Sequence, residues 1–247
     1  MPEPLPDLDP HGWATRRRQA VRRAAGTRSA DPAAPRIAAV LLDIGGVVIP
    51  QLAETVRTPG FPRGPLNGDE RYAAVQRGEL GEREYWRLVG VERGIDIAAL
   101  WQERSAVREE VRAALGALAS RVRLVAFTND MLHFFGAGWE NRFPEFRLFE
   151  RLLEASVLGV LKPAPEAYLL AARAIGEPPA RCLFVDDLQT NIDGAASVGM
   201  ATRLFDVRDP SGSWRAVLAD AGVADLPPVP GPRGRVVRTA RAGGHGR

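Results

Sequence analysis

Apolar positions along this chain follow two alternating patterns. Short unbroken runs, Ile37-Ala38-Ala39-Val40-Leu41-Leu42, Val122-Arg123-Leu124-Val125-Ala126-Phe127 and Leu183-Phe184-Val185, end on Asp43, on Thr128-Asn129-Asp130 and on Asp186-Asp187. A weaker run, Ala201 to Phe205, ends at Asp206. Between and after the runs, apolar residues recur at helical spacing over 131–143, 165–175, 189–198 and 213–221. Unbroken apolar strands are those buried on both faces, the mark of a parallel sheet covered by helices. Alternation of such strands with helices predicts an α/β fold, a doubly wound, Rossmann-like parallel sheet.

One connection is too long for a single crossover. Between Asp43 and Val122 the chain shows helical spacing over 69–77, 82–92 and 107–118, with Gly60, Pro62, Gly64 and Pro65 breaking the pattern early. We read residues 50–119 as a small α-helical cap inserted after the first strand, with 35–49 and 120–225 forming the core. Residues 1–34, rich in Pro, Ala and Arg, and 226–247, rich in Pro, Arg and Gly, read as disordered tails.

Composition narrows the functional classes. Of 247 residues, 45% are apolar and 26% charged, the balance of a soluble globular protein. The net charge is only +3. Arginines crowd both ends, from Arg16 to Arg28 and from Arg233 to Arg247. The middle shows no basic face of the kind nucleic-acid binding needs, so no such partner is expected. No apolar run approaches the ~20 residues of a membrane span. The start, Met1-Pro2-Glu3-Pro4, has no apolar signal region, and the reading is cytoplasmic. Cys182 is the single cysteine, so no intrachain disulfide forms.

In an open parallel sheet, ligands sit beyond the carboxyl ends of the strands. Here those ends carry Asp43, Thr128 and Asp186-Asp187. Carboxylates brought together repel unless cations intervene, and a hard divalent ion such as Mg²⁺, with oxygen ligands and a substrate phosphate, is the natural counter-charge. The chain offers one further cation of note. Of its 33 Lys and Arg residues, Lys162 is the sole lysine. It stands in Leu161-Lys162-Pro163-Ala164-Pro165, just before a helix. Lysine is a compact point charge where arginine is a broad planar fork, so a tight anionic site would explain the exception.

These four stretches, in this order, resemble the haloacid dehalogenase-like (HAD-like) hydrolases over about residues 36–208. Leu42-Asp43-Ile44-Gly45-Gly46-Val47-Val48 is similar to the family's Asp-led first motif and Ala126-Phe127-Thr128-Asn129 to its second. Gly159 to Tyr168, containing Lys162-Pro163-Ala164-Pro165, is similar to the third, and Val185-Asp186-Asp187-Leu188-Gln189-Thr190-Asn191 to the fourth. Gln76 to Trp86 resembles the cap helices of members with an insertion after the first strand. The resemblance implies a Mg²⁺-dependent phosphatase acting on a small phosphorylated metabolite through an aspartyl-phosphate on Asp43. Thr128 and the backbone amide of Asn129 would hold a phosphoryl oxygen, and Lys162 would neutralise nucleophile and phosphate. Asp43, Asp187, the carbonyl of Gly45 and, directly or through water, Asp186 would hold the metal. Asn191 would orient the loop.

The chain departs from the family at Gly45, where many members carry a second aspartate that protonates the leaving alcohol and then activates water. Glycine does neither, and general acid–base help is typically worth roughly 10²–10⁴-fold. Three readings follow: a substrate with a good leaving group; an acid from the cap, with Glu54 and Glu79 as candidates; or a non-catalytic, phosphate-binding or regulatory protein on the same fold. A dehalogenase of this family usually shows Asp-x-Tyr-Gly-Thr, whereas here Gly45 takes the Tyr place and Val47 the Thr place. His133, beside Phe134 and Phe135, reads as packing. The sequence leaves substrate and oligomeric state open.

Overall fold

The computed structural model describes residues 37–66 and 68–223; the two tail segments read from the sequence lie outside them. Five parallel strands form one sheet: β1 (Ala39–Leu42), β2 (Arg123–Thr128), β3 (Arg151–Glu154), β4 (Cys182–Asp186) and β5 (Ala201–Leu204), in the order β3-β2-β1-β4-β5. The three strands read as unbroken apolar runs are the central ones. They are buried along almost their whole length, β1 and β4 fully so. This is the α/β, doubly wound parallel fold expected from the pattern.

The strand missed by the sequence reading, β3, is an edge of four residues, Arg-Leu-Leu-Glu. Its first two positions are half-exposed and its two leucines stand between charged residues, so it carries no continuous apolar run. The helix expected over 131–143 is a single turn and a half, Met131–Phe135. Gly136 takes φ 77° and Gly138 φ 76°, values that favour glycine and end the helix. Short 3-10 turns at Trp139–Arg142 and Pro144–Leu148 follow.

Ten α-helices are described. Four of them, α1 (Leu52–Thr55), α2 (Glu70–Gln76), α3 (Glu82–Arg93) and α4 (Ile97–Arg104), lie between β1 and α5 (Glu109–Ala119). Asp69 and Asp96 cap α2 and α4 by accepting from the backbone N–H of Tyr72 and Ala99, each satisfying a donor that a helix start leaves unpaired. Tyr72, Tyr85, Trp86 and Phe61 meet edge-on or stacked here, within the same apolar cluster as one face of the sheet. Helix α5 packs differently, against β2 and against α10 (Pro210–Asp220). The remaining helices are α6 (Met131–Phe135), α7 (Ala155–Leu158), α8 (Pro165–Ile175) and α9 (Gln189–Ser197).

Two apolar layers flank the sheet. One joins Val40, Leu42, Leu124, Leu183 and Val185 to the inserted helices, α5 and α10. The other joins Leu41, Val125, Phe127 and Phe184 to Tyr168, Ala171 and Ile175 of α8 and Ile192 of α9. Arg108 ties the base of the insertion to the first turn after β1. Its guanidinium donates to the Gly46 carbonyl (2.8 Å) and to Glu54 (2.6 Å) while nearly buried.

Candidate functional site

Every strand-end residue singled out in the sequence reaches the same rim of the sheet. Register explains this: Leu42 pairs with Ala126 on β2 and with Val185 on β4, so Asp43, Thr128 and Asp186 follow at neighbouring ends. Asp43, Asp186 and Asp187 each offer a carboxylate oxygen, all within 4.8 Å of one another. The chain crosses under this cluster in a tight turn. Gly46 takes φ 79°, and a Cβ there would stand 2.2 Å from Asp187 Oδ2. Only glycine lets the loop pass that close.

Lys162 is at the centre. Its ammonium donates to Asp43 Oδ1 (2.9 Å), Asp186 Oδ2 (2.7 Å) and the Phe127 carbonyl (3.2 Å). The side chain is 1% exposed and lies over the rings of Phe127 and Phe184. Burial alone would push this ammonium down; Asp186 and Asp43 outweigh it and hold it above its ordinary range, so it stays charged. The backbone around it is fixed by Asn129, whose Oδ1 accepts from the Lys162 N–H (2.9 Å) and whose Nδ2 donates to the Lys162 carbonyl (3.1 Å). The side chain of Asn129 therefore positions the lysine, a role its motif did not suggest.

The paired acids differ in their surroundings. Asp186 is fully buried and saturated: it accepts from Lys162, from the Leu188 N–H (2.9 Å) and, at both oxygens, from Asn191 Nδ2 (3.0 Å each). Among the described residues, Asp187 accepts one side-chain hydrogen bond, from Gln51 Nε2 (3.1 Å). Burial, then repulsion by Asp186, Glu82 and Asp43, push its carboxyl well above the ordinary carboxylate range. Asp43 is likewise pushed up to about 7, by burial first, against the pull of Lys162. One ammonium thus faces three close carboxylates. An all-oxygen, anionic set of this kind has the chemistry of a hard divalent cation site.

A cavity of about 510 Å³ opens over the cluster. Asp43, Gly45, Thr128, Asn129, Lys162 and Asn191 line it from the strand ends and the loops and helix beside them, and Gln51, Glu82, Arg83, Trp86 and Trp101 from the stretch between β1 and α5. Arg83 and Asp130 form an ion pair between the two sides. His133 also lines the cavity, its ring edge-on to Phe134.

Neither acid named from the cap sequence lines the cavity. Glu54 is held by Arg108 and by the Gln51 N–H. Glu79 is exposed and paired with Arg77. Among the described residues, the acid between β1 and α5 that lines it with no cation bonded to it is Glu82, at the start of α3. Its Oε1 accepts from Gln51 Nε2 and from the Tyr72 hydroxyl, each at 3.0 Å. Nothing in the acid-rich run Glu79 to Glu84 distinguishes this glutamate; pairing does, because Glu79 is bonded to Arg77 and Glu84 to Arg87. Trp101 was also missed as a neighbour of Gly45. A Cβ at Gly45 would stand 3.3 Å from its Cη2 and 3.6 Å from its Cζ2.

Phosphatase MT3486 of Mycobacterium tuberculosis is 37% identical over 84 residues, 30% of this chain and 38% of that protein. The 5-amino-6-(5-phospho-D-ribitylamino)uracil phosphatase YigB of Escherichia coli is 35% identical over 105 residues, 41% of each chain. The matches therefore span about two fifths of these curated relatives. Among solved structures, the L-2-haloacid dehalogenase RSc1362 superposes with a TM-score of 0.52 at 22% identity, covering 69% of this chain and 86% of that one, a likeness of fold. The model of the haloacid dehalogenase-like hydrolases matches residues 37–199, from the start of the sheet through α9. The chain belongs to the haloacid dehalogenase-like hydrolase family.

Proposed function

We propose that this hydrolase is a Mg²⁺-dependent phosphatase of a small phosphorylated metabolite, working through an aspartyl-phosphate on Asp43. The observation that carries the reading is the shared ammonium: Lys162 bonds both Asp43 and Asp186 beneath a cavity large enough for a small ester. In this reading Asp43 attacks phosphorus, and the ester oxygen leaves on the opposite side. Thr128, 3% exposed at the end of β2, and the Asn129 amide hold a phosphoryl oxygen. Lys162, kept charged, offsets the negative charge that grows on the transferring group. Asp186, locked by Asn191 and the Leu188 amide, keeps Lys162 in place.

Asp43, Asp187 and the carbonyl of Gly45 would hold Mg²⁺, with Asp186 next to them. The excess of carboxylates over ammonium supports a dication there. Bound, it supplies charge neutralisation for the phosphoryl group. Curated relatives support phosphatase over dehalogenase chemistry: they are named as phosphatases and, in Arabidopsis thaliana, as a flavin mononucleotide hydrolase, 36% identical over 67 residues. Attack at a carbon–halogen bond has no need of the surplus acid Asp187.

The test is turnover of p-nitrophenyl phosphate with and without Mg²⁺, beside a panel of sugar and nucleotide phosphates. Wild type should require Mg²⁺, and Asp43→Asn should lose at least about 10³-fold. No Mg²⁺-dependent turnover of any ester, together with no binding of beryllofluoride, would overturn the reading.

A further inference from the structure

Four carboxylates line the cavity: Asp43, Glu82, Glu84 and Asp130. Three are committed to cations. Asp43 bonds Lys162, Glu84 bonds Arg87, and Asp130 bonds Arg83. Glu82 meets only neutral donors, the amide of Gln51 and the phenol of Tyr72, both on Oε1. Its Oε2 has no hydrogen bond among the described residues. Nor does Glu82 belong to the cluster suited to a metal, which comprises Asp43, Asp186 and Asp187. No cation bonds this carboxyl directly; the two bonds it accepts favour its ionised form, and its burial opposes it.

Asp43 stands at the rim of the sheet and Glu82 at the start of α3, and both line the same cavity. Displacement at phosphorus is in line, with attacking and leaving oxygens on opposite sides. The leaving oxygen is therefore driven away from Asp43, into the cavity that Glu82 also lines. An alkoxide leaving there needs a proton, and Gly45 has none to give.

We infer that Glu82 is a catalytic acid and base of this enzyme, protonating the leaving alcohol from the cap side. The inference rests on the phosphatase reading above. In the first step an Asp43 oxygen bonds to phosphorus and the bond from phosphorus to the substrate's alkoxy oxygen breaks. That oxygen keeps the electron pair and takes the proton of the Glu82 carboxyl, leaving as alcohol. In the second step the Glu82 carboxylate takes a proton from a water whose oxygen bonds to phosphorus. The bond from phosphorus to Asp43 breaks, inorganic phosphate departs, and Asp43 and Glu82 return to their starting states. One water is consumed. Burial, which outweighs the bonds from Gln51 and Tyr72, pushes the Glu82 carboxyl up, in keeping with a group that holds a proton to deliver.

Leaving-group dependence separates this role from a structural one. p-Nitrophenolate leaves without a proton; a primary alkoxide does not. The comparison is kcat/KM of wild type, Glu82→Gln and Glu82→Asp with p-nitrophenyl phosphate and with ribose 5-phosphate, kcat/KM reporting the first chemical step. Glutamine keeps an Oε1 acceptor for Gln51 and Tyr72, so the fold should persist, which melting temperature checks. Glu82→Gln should lose about 10²-fold or more with ribose 5-phosphate, and less than about 5-fold with the aryl ester, whose kcat nonetheless falls because water activation is lost. Glu82→Asp should recover part of the alkyl activity. Equal losses in kcat/KM with both esters, or no loss with either, would overturn the assignment while leaving the phosphatase reading intact. So would a wild type that cleaves the aryl ester and not ribose 5-phosphate. A wild type inert toward both, and toward the rest of the phosphate panel, would overturn both proposals.

Discussion

Asn129 and Lys162 grip each other through two antiparallel hydrogen bonds, side chain to backbone, across 33 residues of sequence. The clamp joins the end of β2 to the loop before α8, and it is the reason the ammonium of Lys162 can be aimed so tightly. Each such bond is worth about 1 kcal/mol net. Asn129→Ala should therefore lower stability by about 1–2 kcal/mol in urea unfolding and reduce phosphatase kcat by an order of magnitude or more. Asn129→Asp should be worse for activity, because it turns a second acceptor toward the Lys162 carbonyl. Unchanged unfolding and turnover in the alanine variant would show that the loop holds its shape without the clamp.

The lone lysine should not accept replacement by arginine, although arginine serves everywhere else in the chain. The Lys162 side chain is enclosed by Asp43, Asp186, the Phe127 carbonyl and two rings. A planar guanidinium needs more width than an ammonium, and forcing extra atoms into a packed site typically costs about 1–3 kcal/mol. Lys162→Ala leaves Asp186 buried without its cation, a loss of about 3–5 kcal/mol where a buried pair is broken. Both variants should fall at least about 10³-fold in kcat/KM. Full activity in Lys162→Arg would make the single lysine an accident of composition.

What the sequence made legible follows from how each feature is encoded. The strands β1, β2 and β4 are buried on both faces, so an unbroken apolar run suffices to find them. Strand β3 is a half-exposed edge of two leucines between charges, and no local pattern separates that from a loop. The strand-end residues Asp43, Thr128, Asp186 and Asp187 are fixed by register, which runs of apolar residues reveal. Gln51, Glu82 and Trp101 were not legible because they reach the cavity through the path of the insertion, from the turn and helices after β1. Glu79 and Glu54 looked equivalent to Glu82 in sequence. The pairing of Glu79 with Arg77 and the capture of Glu54 by Arg108 tell them apart.

Restoring an aspartate at Gly45 should not by itself improve the enzyme. A Cβ there already meets the Trp101 indole at 3.3 Å, and that ring is fixed by a hydrogen bond from its Nε1 to the Pro50 carbonyl and by edge contacts to Phe134 and Phe135. The carboxylate would have to displace it. Gly45→Asp should lose about 1–3 kcal/mol of stability and gain no alkyl phosphatase activity. Gly45→Asp combined with Trp101→Leu should be more active than Gly45→Asp alone, the non-additivity expected of residues in contact. Strictly additive effects on kcat/KM and on unfolding free energy would show that Trp101 does not restrict the position.

Glu154 makes the stability of this fold sensitive to pH. It ends β3, in register with Thr128, and its Oε1 accepts from the Leu132 N–H (2.7 Å). Burial, reinforced by Asp130 and Asp43 and opposed by the Leu132 amide and Lys162, pushes the carboxyl up from 4.5 to about 7. The folded state thus binds this proton more tightly than the unfolded chain. Below pH 4.5 both states hold it and the residue costs nothing. As pH rises from 4.5 to about 7 the unfolded chain ionises first, and stability falls by about 1.4 kcal/mol per unit of displacement, about 3 kcal/mol in all. Glu154→Gln keeps the acceptor for Leu132 and cannot ionise. The difference in unfolding free energy between variant and wild type should therefore grow in the variant's favour from pH 4.5 to pH 7 and then level off. Comparing the two proteins cancels the titration of Asp43 and Asp187 to first order, so a difference that stays flat across that range would show that Glu154 ionises in the folded protein as freely as in the unfolded chain.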